Sequence, residues 1–133
     1  MTTYLLDADV LIALTIEEHE HHQRVAAWSA RVERVALCPI VEGALVRFLV
    51  RIGESVGVAS EVLRLVHADP RCDFWPDSVS YVDADLGGVR GHRQVTDAYL
   101  VAMVAARGDA RLATLDQALA QIRPGLCAFV PHR

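Results

Sequence analysis

Lysine is absent from the sequence, so all 13 basic residues are arginines. Enzymes that place a lysine beside an acidic pocket to handle a phosphoryl group are therefore disfavoured. Arginine offers instead a planar guanidinium whose N–H groups suit phosphate oxygens. A GC-rich genome also explains a lack of lysine, so this absence helps to exclude rival functions more than to assign one.

Long apolar runs are absent too. No uninterrupted apolar stretch approaches the roughly 20 residues that span a bilayer, and we expect no transmembrane segment. The first residues, Met1 to Asp7, contain no basic region and reach an acidic residue before any signal-like apolar run forms. The sequence therefore predicts a cytoplasmic protein.

Cysteine is scarce, and the three cysteines are widely spaced at Cys38, Cys72 and Cys127. An odd number of distant cysteines in apolar surroundings is typical of reduced, buried thiols. We expect neither a disulfide framework nor a zinc knuckle.

Excess positive charge is also lacking, since the net charge is −4. Proteins that bind nucleic acids usually carry basic surfaces, because neutralising phosphates supplies most of the non-specific affinity. An acidic chain can still bind RNA if its acids are gathered in one pocket and neutralised by metal, with arginines lining the approach.

The order of apolar and polar residues predicts an α/β fold. The length of 133 residues suits one domain, residues 1–133, and 53% hydrophobic with 23% charged residues is typical of a folded protein. Short apolar strands that alternate with helices indicate three layers, a central parallel sheet flanked by helices. The predicted strands are 3–6, 34–38, 72–75, 111–114 and 126–130, and the predicted helices are 10–16, 19–32, 39–51, 55–68, 79–86, 96–107 (capped by Thr96) and 116–122.

Four acidic residues fall where this fold would bring them together. Asp7 and Asp116 each follow a strand, and Glu42 and Asp97 lie in the first turns of helices. Ligands of open α/β sheets bind outside the carboxyl ends of the strands. We therefore expect these four acids at one edge of the sheet, with Asp9 as a possible fifth.

Each acid has a simpler explanation, because carboxylates are favoured at helix starts. Packed together, however, they repel one another and raise each other's pKa values, and a cation removes that penalty. Ligand sets made only of oxygen select Mg²⁺ or Mn²⁺ over zinc. Such a site suits phosphodiester hydrolysis with metal-bound water as nucleophile, and Thr114 could support that water or a phosphate.

The chain resembles a PIN domain, in particular the toxin ribonucleases of bacterial VapBC toxin–antitoxin modules. Each matching segment is short, but all occur in the right order over nearly the whole chain. The segments are 5–14 (LLDADVLIAL), 39–47 (PIVEGALVR), 96–102 (TDAYLVA) and 112–116 (LATLD), and residues 21–28 are similar to the family's second helix.

The resemblance implies roles for particular residues. Asp7, Glu42, Asp97 and Asp116 would take the family's acidic, metal-binding positions, and Thr114 its small hydroxyl. Relatives often carry Asn at the position of Asp9, so Asp9 could alter metal affinity or add a ligand. The resemblance further implies Mg²⁺- or Mn²⁺-dependent endoribonuclease activity, homodimerisation and inhibition by a cognate antitoxin.

The loop at residues 87–93 precedes Asp97 and contains Arg90, His92 and Arg93. These side chains could grip the RNA backbone during cleavage. The same loop could be an ordinary mobile connection, and the sequence favours neither interpretation.

Two rival functions use the same acids. Residues 5–10 resemble the nucleophile motif of haloacid dehalogenase phosphatases, in which Asp7 would be phosphorylated and Asp9 would be the acid–base. That machinery, like a phospho-receiver domain, normally needs a lysine, which this chain lacks. The second rival is a PIN-like module that only binds a partner, and indifference to divalent metal would distinguish it.

Two further groups of residues, histidines and aromatics, suggest binding functions that we do not assign. His19, His21 and His22 contain no pair at i, i+4, so we interpret them as a solvated helix start rather than a zinc site. The aromatic residues Trp28, Phe74 and Trp75 are expected in the core or at an interface rather than as platforms for bases.

Overall fold

A five-stranded parallel sheet forms the centre of the computed structural model, which describes residues 1–132. Six helices flank this sheet, so the predicted α/β class and layered architecture are confirmed. The strands are β1 Thr3–Leu6, β2 Arg34–Leu37, β3 Cys72–Phe74, β4 Ala110–Thr114 and β5 Cys127–Phe129. The helices are α1 Ala8–Thr15, α2 His22–Arg31, α3 Pro39–Arg51, α4 Val56–Ala68, α5 Val95–Ala105 and α6 Gln117–Ile122.

The strand order is β3-β2-β1-β4-β5, with β1 at the centre. Leu5 of β1 aligns with Ala36 of β2 on one side and with Leu112 of β4 on the other, and all three are fully buried. Strands covered on both faces read as continuous apolar runs, which explains why these segments were recognisable in the sequence.

The chain reverses its direction of travel across the sheet at β1. From β1 it proceeds outward to β2 and β3, then crosses to β4 on the opposite side of β1 and ends at β5. The carboxyl ends of β1 and β4 therefore flank a topological switch point, where ligands bind in open α/β sheets. Asp7 and Asp116 follow these two strands.

The helix predicted at residues 79–86 is wrong. Only the 3-10 turn Tyr81–Asp83 forms, and Ser80 Oγ accepts a hydrogen bond from the Val82 backbone N–H at 3.1 Å. Val82 is 91% exposed, so the segment has no buried apolar face to stabilise a longer helix.

The starts of α1, α2 and α5 differ from the prediction for identifiable reasons. α1 begins at Ala8 because the Asp7 carboxylate caps it, and α2 begins at His22 because residues 19–21 form a turn in which His19 Nδ1 accepts from the His21 N–H. Thr96 is not the cap of α5. A 3-10 turn, His92–Gln94, runs directly into α5 at Val95 and places Thr96 inside the first helical turn.

The burial of the aromatic residues and of the cysteines can be compared with the predictions from the sequence. Trp28 and Trp75 are buried as expected, and Phe74 is 51% exposed and lies outside the core, so that its position at an interface stays a prediction. The three cysteines are free thiols: Cys38 and Cys127 are buried, and Cys72 is half-buried. Among residues 1–132, no helix combines the length and apolar character needed to span a membrane.

Candidate active site

Asp7 lies at the centre of an acidic crevice, between the end of β1 and the start of α1. Its backbone N–H donates to the carbonyl oxygen of Ala113 at 3.1 Å, which ties it to β4. Its Oδ1 accepts from the backbone N–H groups of Asp9 at 2.8 Å and Val10 at 3.3 Å. The side chain is thus fixed as the N-cap of α1 and is almost completely buried.

Burial raises the pKa of the Asp7 carboxyl from its ordinary value of 3.8 to about 7, and the charges of Asp9 and Asp97 contribute to this rise. Hydrogen bonds from the Thr114 side chain and the Val10 backbone oppose it only in part. Asp9 and Asp97 therefore add negative charge to the surroundings of Asp7.

Thr114 links two of the acids. Its buried hydroxyl forms a hydrogen bond with Asp7, and its Oγ1 accepts from the backbone N–H of Asp116 at 3.0 Å. Asp116 in turn caps α6, because its Oδ1 accepts from the Leu119 N–H at 3.1 Å. The end of β4 and the residues after it therefore supply two groups of the crevice, the Thr114 hydroxyl and the Asp116 carboxylate.

Asp97, in the first turn of α5, completes the group. Burial, followed by the charges of Asp116 and then Asp9, raises the pKa of Asp97 above its ordinary value. Four aspartates from three separate segments therefore converge with Thr114, as the sequence predicts for Asp7, Asp9, Asp97 and Asp116.

Glu42 comes from the other side of β1. It follows β2, on the side of β1 opposite to β4, and its Oε2 lies 2.5 Å from His67 Nε2. Its charge, after burial, raises the pKa of Asp77, whereas Asp9 and Asp116 are the charges that raise the pKa of Asp97. The structure thus brings together three of the four predicted ligands and places the fourth beside a histidine.

The sequence did not indicate His67 as part of this site, nor that His19 and His21 line a cleft with Asp9 and Asp116. A histidine alone in a helix carries no distinguishing pattern. These contacts depend on how α4 packs against α3 and on the turn before α2.

The arginine-containing loop borders the crevice. Arg90, His92 and Arg93 lie in this loop and are all exposed, and the Arg90 N–H donates to Gln94 Oε1 at 2.6 Å. Gln94, together with Asp97 and Asp116, lines an apolar cavity between this loop, α5 and α6. The three basic residues are therefore within the segment that leads directly into Asp97.

The donor set suits a hard divalent cation. All the converging ligands are carboxylate oxygens, and burial and nearby negative charge disfavour the ionised forms of Asp7 and Asp97 until positive charge is supplied. Among residues 1–132, no three His, Cys, Asp or Glu side chains are arranged so that they could hold a metal ion together. Mg²⁺ does not need three such ligands, because it is usually held by one or two carboxylates and keeps several waters.

Comparison with known proteins supplies the family. The profile of the PIN domain family matches residues 4–123. Ribonuclease VapC29 of Mycobacterium tuberculosis is 48% identical over 130 residues, which cover 97% of each chain. Ribonuclease VapC38 of the same organism is 37% identical, over 90% of this chain and 92% of its own.

Solved structures show the same fold. The crystal structure of Mycobacterium tuberculosis VapC20, a sarcin–ricin loop cleaving toxin, matches with a TM-score of 0.72 at 15% identity and covers 96% of this chain and 99% of its own. VapBC2 of Rickettsia felis, bound to a DNA fragment from its promoter, matches with a TM-score of 0.65 at 14% identity, over 98% and 100% of the chains. The profile and the VapC relatives show that the chain belongs to the PIN domain family and, within it, to the VapC ribonucleases.

Proposed function

We propose that this VapC-family chain is a Mg²⁺- or Mn²⁺-dependent endoribonuclease that acts as the toxin of a toxin–antitoxin pair. The observation that carries this proposal is the convergence of Asp7, Asp97 and Asp116 at the switch point of the sheet, where the pKa of Asp7 is raised to about 7. Buried carboxylates that repel one another in a cleft are typical of functional sites.

Asp7, Asp97 and Asp116 would hold the cation, with Glu42 as a fourth ligand from the β2 side. When bound, Mg²⁺ or Mn²⁺ would polarise the scissile phosphoryl group and activate water for attack. Thr114 would hold the Asp7 carboxylate and the Asp116 backbone in fixed relative positions through its two hydrogen bonds. Asp9 stands on the rim of the crevice, where it would add negative charge and a possible further ligand.

Substrate contacts would come from the loop before α5. The side chains of Arg90, His92 and Arg93 would bind RNA phosphates, which position the backbone without reading its sequence. Arg90 and Arg93 would also offset the repulsion between phosphates and the acidic crevice.

The phosphatase alternative finds no support in the family comparison. The relatives are named ribonucleases, and the chain lacks the lysine that phosphatases of this type normally use. The Asp7 side chain is also engaged as a helix cap through Oδ1.

An antitoxin partner, a homodimeric state and a cytoplasmic location are also part of the proposal. Support comes from the VapC relatives and from the structural likeness to a VapBC complex. Light scattering on the purified chain, alone and with the protein encoded beside it, would measure both associations.

The decisive experiment compares the chain with Asp97→Asn on total cellular RNA. The amide keeps the size of the carboxyl but removes its charge, so we expect cleavage to fall by at least about 100-fold, the scale on which removing one group that stabilises a transition state acts, while the circular dichroism spectrum stays unchanged. Cleavage by the unmodified chain should require Mg²⁺ or Mn²⁺ and stop in EDTA.

Asp109→Asn provides the matched control, because Asp109 is exposed and precedes β4, at the opposite edge of the sheet. This variant should cleave normally. Undiminished cleavage by a folded Asp97→Asn protein, or cleavage that persists in EDTA, would contradict the proposed mechanism.

A further inference from the structure

His67 makes a close side-chain contact with Glu42. His67 lies in the last turn of α4, and its Nε2 is 2.5 Å from Glu42 Oε2. The two side chains are only 32% and 16% exposed, respectively. An ionised carboxylate only accepts hydrogen bonds, so Nε2 must carry the proton and donate it to Oε2.

The surroundings of His67 hold its ring in place. The Phe74 ring centroid lies 6.2 Å away, and Cys72 Sγ is 4.0 Å from His67 Nδ1. Burial raises the pKa of the Cys72 thiol to about 11, so the sulfur stays protonated and this Cys–His–Glu arrangement does not supply a nucleophile. The ring is therefore packed and has a partner at both nitrogens, as a supporting residue requires.

Only one oxygen of Glu42 is used by this contact. Among residues 1–132, Oε1 of Glu42 has no hydrogen-bond partner. Carboxylates that bind metals are commonly held by such outer contacts, and removing the supporting residue typically weakens metal affinity by about 10–100-fold.

We propose that His67 is a positioning residue that fixes Glu42 through the Nε2–Oε2 hydrogen bond and leaves Oε1 available for the divalent cation. This inference rests on the proposed function, in which Glu42 is a metal ligand. It assigns to α4 a part in the crevice, because the packing of α4 on α3 brings His67 to Glu42, 25 residues away in sequence.

Binding of Mn²⁺ to the purified chain, followed by the electron paramagnetic resonance signal of free Mn²⁺, tests this role without measuring cleavage. We expect His67→Ala to weaken Mn²⁺ binding by about 10–100-fold. His67→Gln, whose amide N–H can replace the Nε2 donor, should restore most of the affinity. His67→Leu fills the space without a donor and should behave like His67→Ala, which separates the hydrogen bond from packing.

A double-mutant cycle tests whether His67 acts through Glu42. In a Glu42→Gln background, His67→Ala should cause no further loss of Mn²⁺ affinity. Arg64→Ala is the matched control, since it removes an exposed ion pair with Glu61 from the same helix and should leave binding unchanged.

The outcomes separate the two proposals. Equal Mn²⁺ binding by the unmodified chain and by Asp97→Asn would refute the metal site itself. Binding that depends on Asp97 but is unaffected or strengthened by His67→Ala would overturn the role of His67 alone. An equal loss in the presence and absence of Glu42→Gln would likewise overturn it.

Discussion

The carboxyl of Asp7 is held in an environment that opposes its charge. It caps α1 and is buried, with Asp9 and Asp97 as negative neighbours, and its pKa rises from 3.8 to about 7. One pKa unit corresponds to about 1.4 kcal/mol, so a change of this size represents roughly 4 kcal/mol. Between these two pKa values, the folded chain retains a proton that the unfolded chain has lost. The contribution of Asp7 to the free energy of unfolding therefore falls as pH rises through this interval and is constant above about pH 7.

We therefore predict that Asp7→Asn stabilises the metal-free protein at alkaline pH. Asparagine keeps the cap acceptor but carries no charge. In EDTA, urea unfolding should show the variant more stable than the unmodified chain by several kcal/mol near pH 8, and this difference should be less than half as large near pH 5 and approach zero only below about pH 4. A difference that does not vary with pH would mean that Asp7 is ionised throughout this range.

The sequence could place Asp7, Asp97, Asp116 and Thr114 at one edge of the sheet because each stands where a strand ends or a helix begins. The ends of strands and the starts of helices can be read from the local pattern of apolar and polar residues. The partner of Glu42 could not be predicted in the same way. The contact with His67 requires knowing which faces of α3 and α4 pack together, and neither residue signals this locally.

Among the elements, strands and long helices were predicted because their apolar residues are buried on regular faces. The helix predicted at residues 79–86 failed for the converse reason, since Val82 and Leu86 are exposed to solvent and give the segment no apolar face to bury. Thr96 suggested a cap by its residue type, but Gln94 already has helical backbone angles and so the 3-10 turn continues into α5. The type of a residue indicates that a helix begins nearby, whereas the first residue of that helix depends on the preceding turn.

The turn between α3 and α4 offers a prediction about elements. Gly53 has φ of 101°, which L-residues rarely adopt, whereas Gly57 lies in α4 with Ser55 Oγ 3.8 Å from where a Cβ would stand. The same substitution should therefore have opposite effects. We expect Gly53→Ala to lower the free energy of unfolding by about 1–2 kcal/mol, and Gly57→Ala to raise it by about 0.5–1 kcal/mol.

Thermal and urea unfolding of the two variants, measured beside the unmodified chain, would check these signs. Neither glycine belongs to the acidic crevice, so RNA cleavage at a temperature where both variants are folded serves as the control. Destabilisation by Gly57→Ala, or an unchanged stability of Gly53→Ala, would contradict this account of the two glycines.

For the whole molecule, the order of the strands decides where the acids meet. The class of fold could be predicted from alternating strands and helices, but the order β3-β2-β1-β4-β5 is set by long-range packing that no single segment encodes. This order puts Asp7 at the centre, with Asp116 and Asp97 towards β4 and Glu42 towards β2. The distribution of charge is likewise a property of the whole molecule, because a chain of net charge −4 must bind RNA through local positive surface.

That distribution yields a prediction about RNA binding. If the loop before α5 contacts phosphates, Arg90→Gln with Arg93→Gln should weaken binding of single-stranded RNA and reduce the slope of log affinity against log salt by about 0.7 for each phosphate that is no longer neutralised. Fluorescence anisotropy, with Asp97→Asn in all proteins to prevent cleavage, measures both quantities.

The control combines Arg51→Gln with Arg64→Gln, which changes the net charge equally but alters exposed arginines of α3 and α4. Because the two double variants differ only in where charge is removed, equal weakening by both would show that RNA responds to overall charge and not to the loop. Selective weakening by the loop variant would place the RNA backbone beside Asp97.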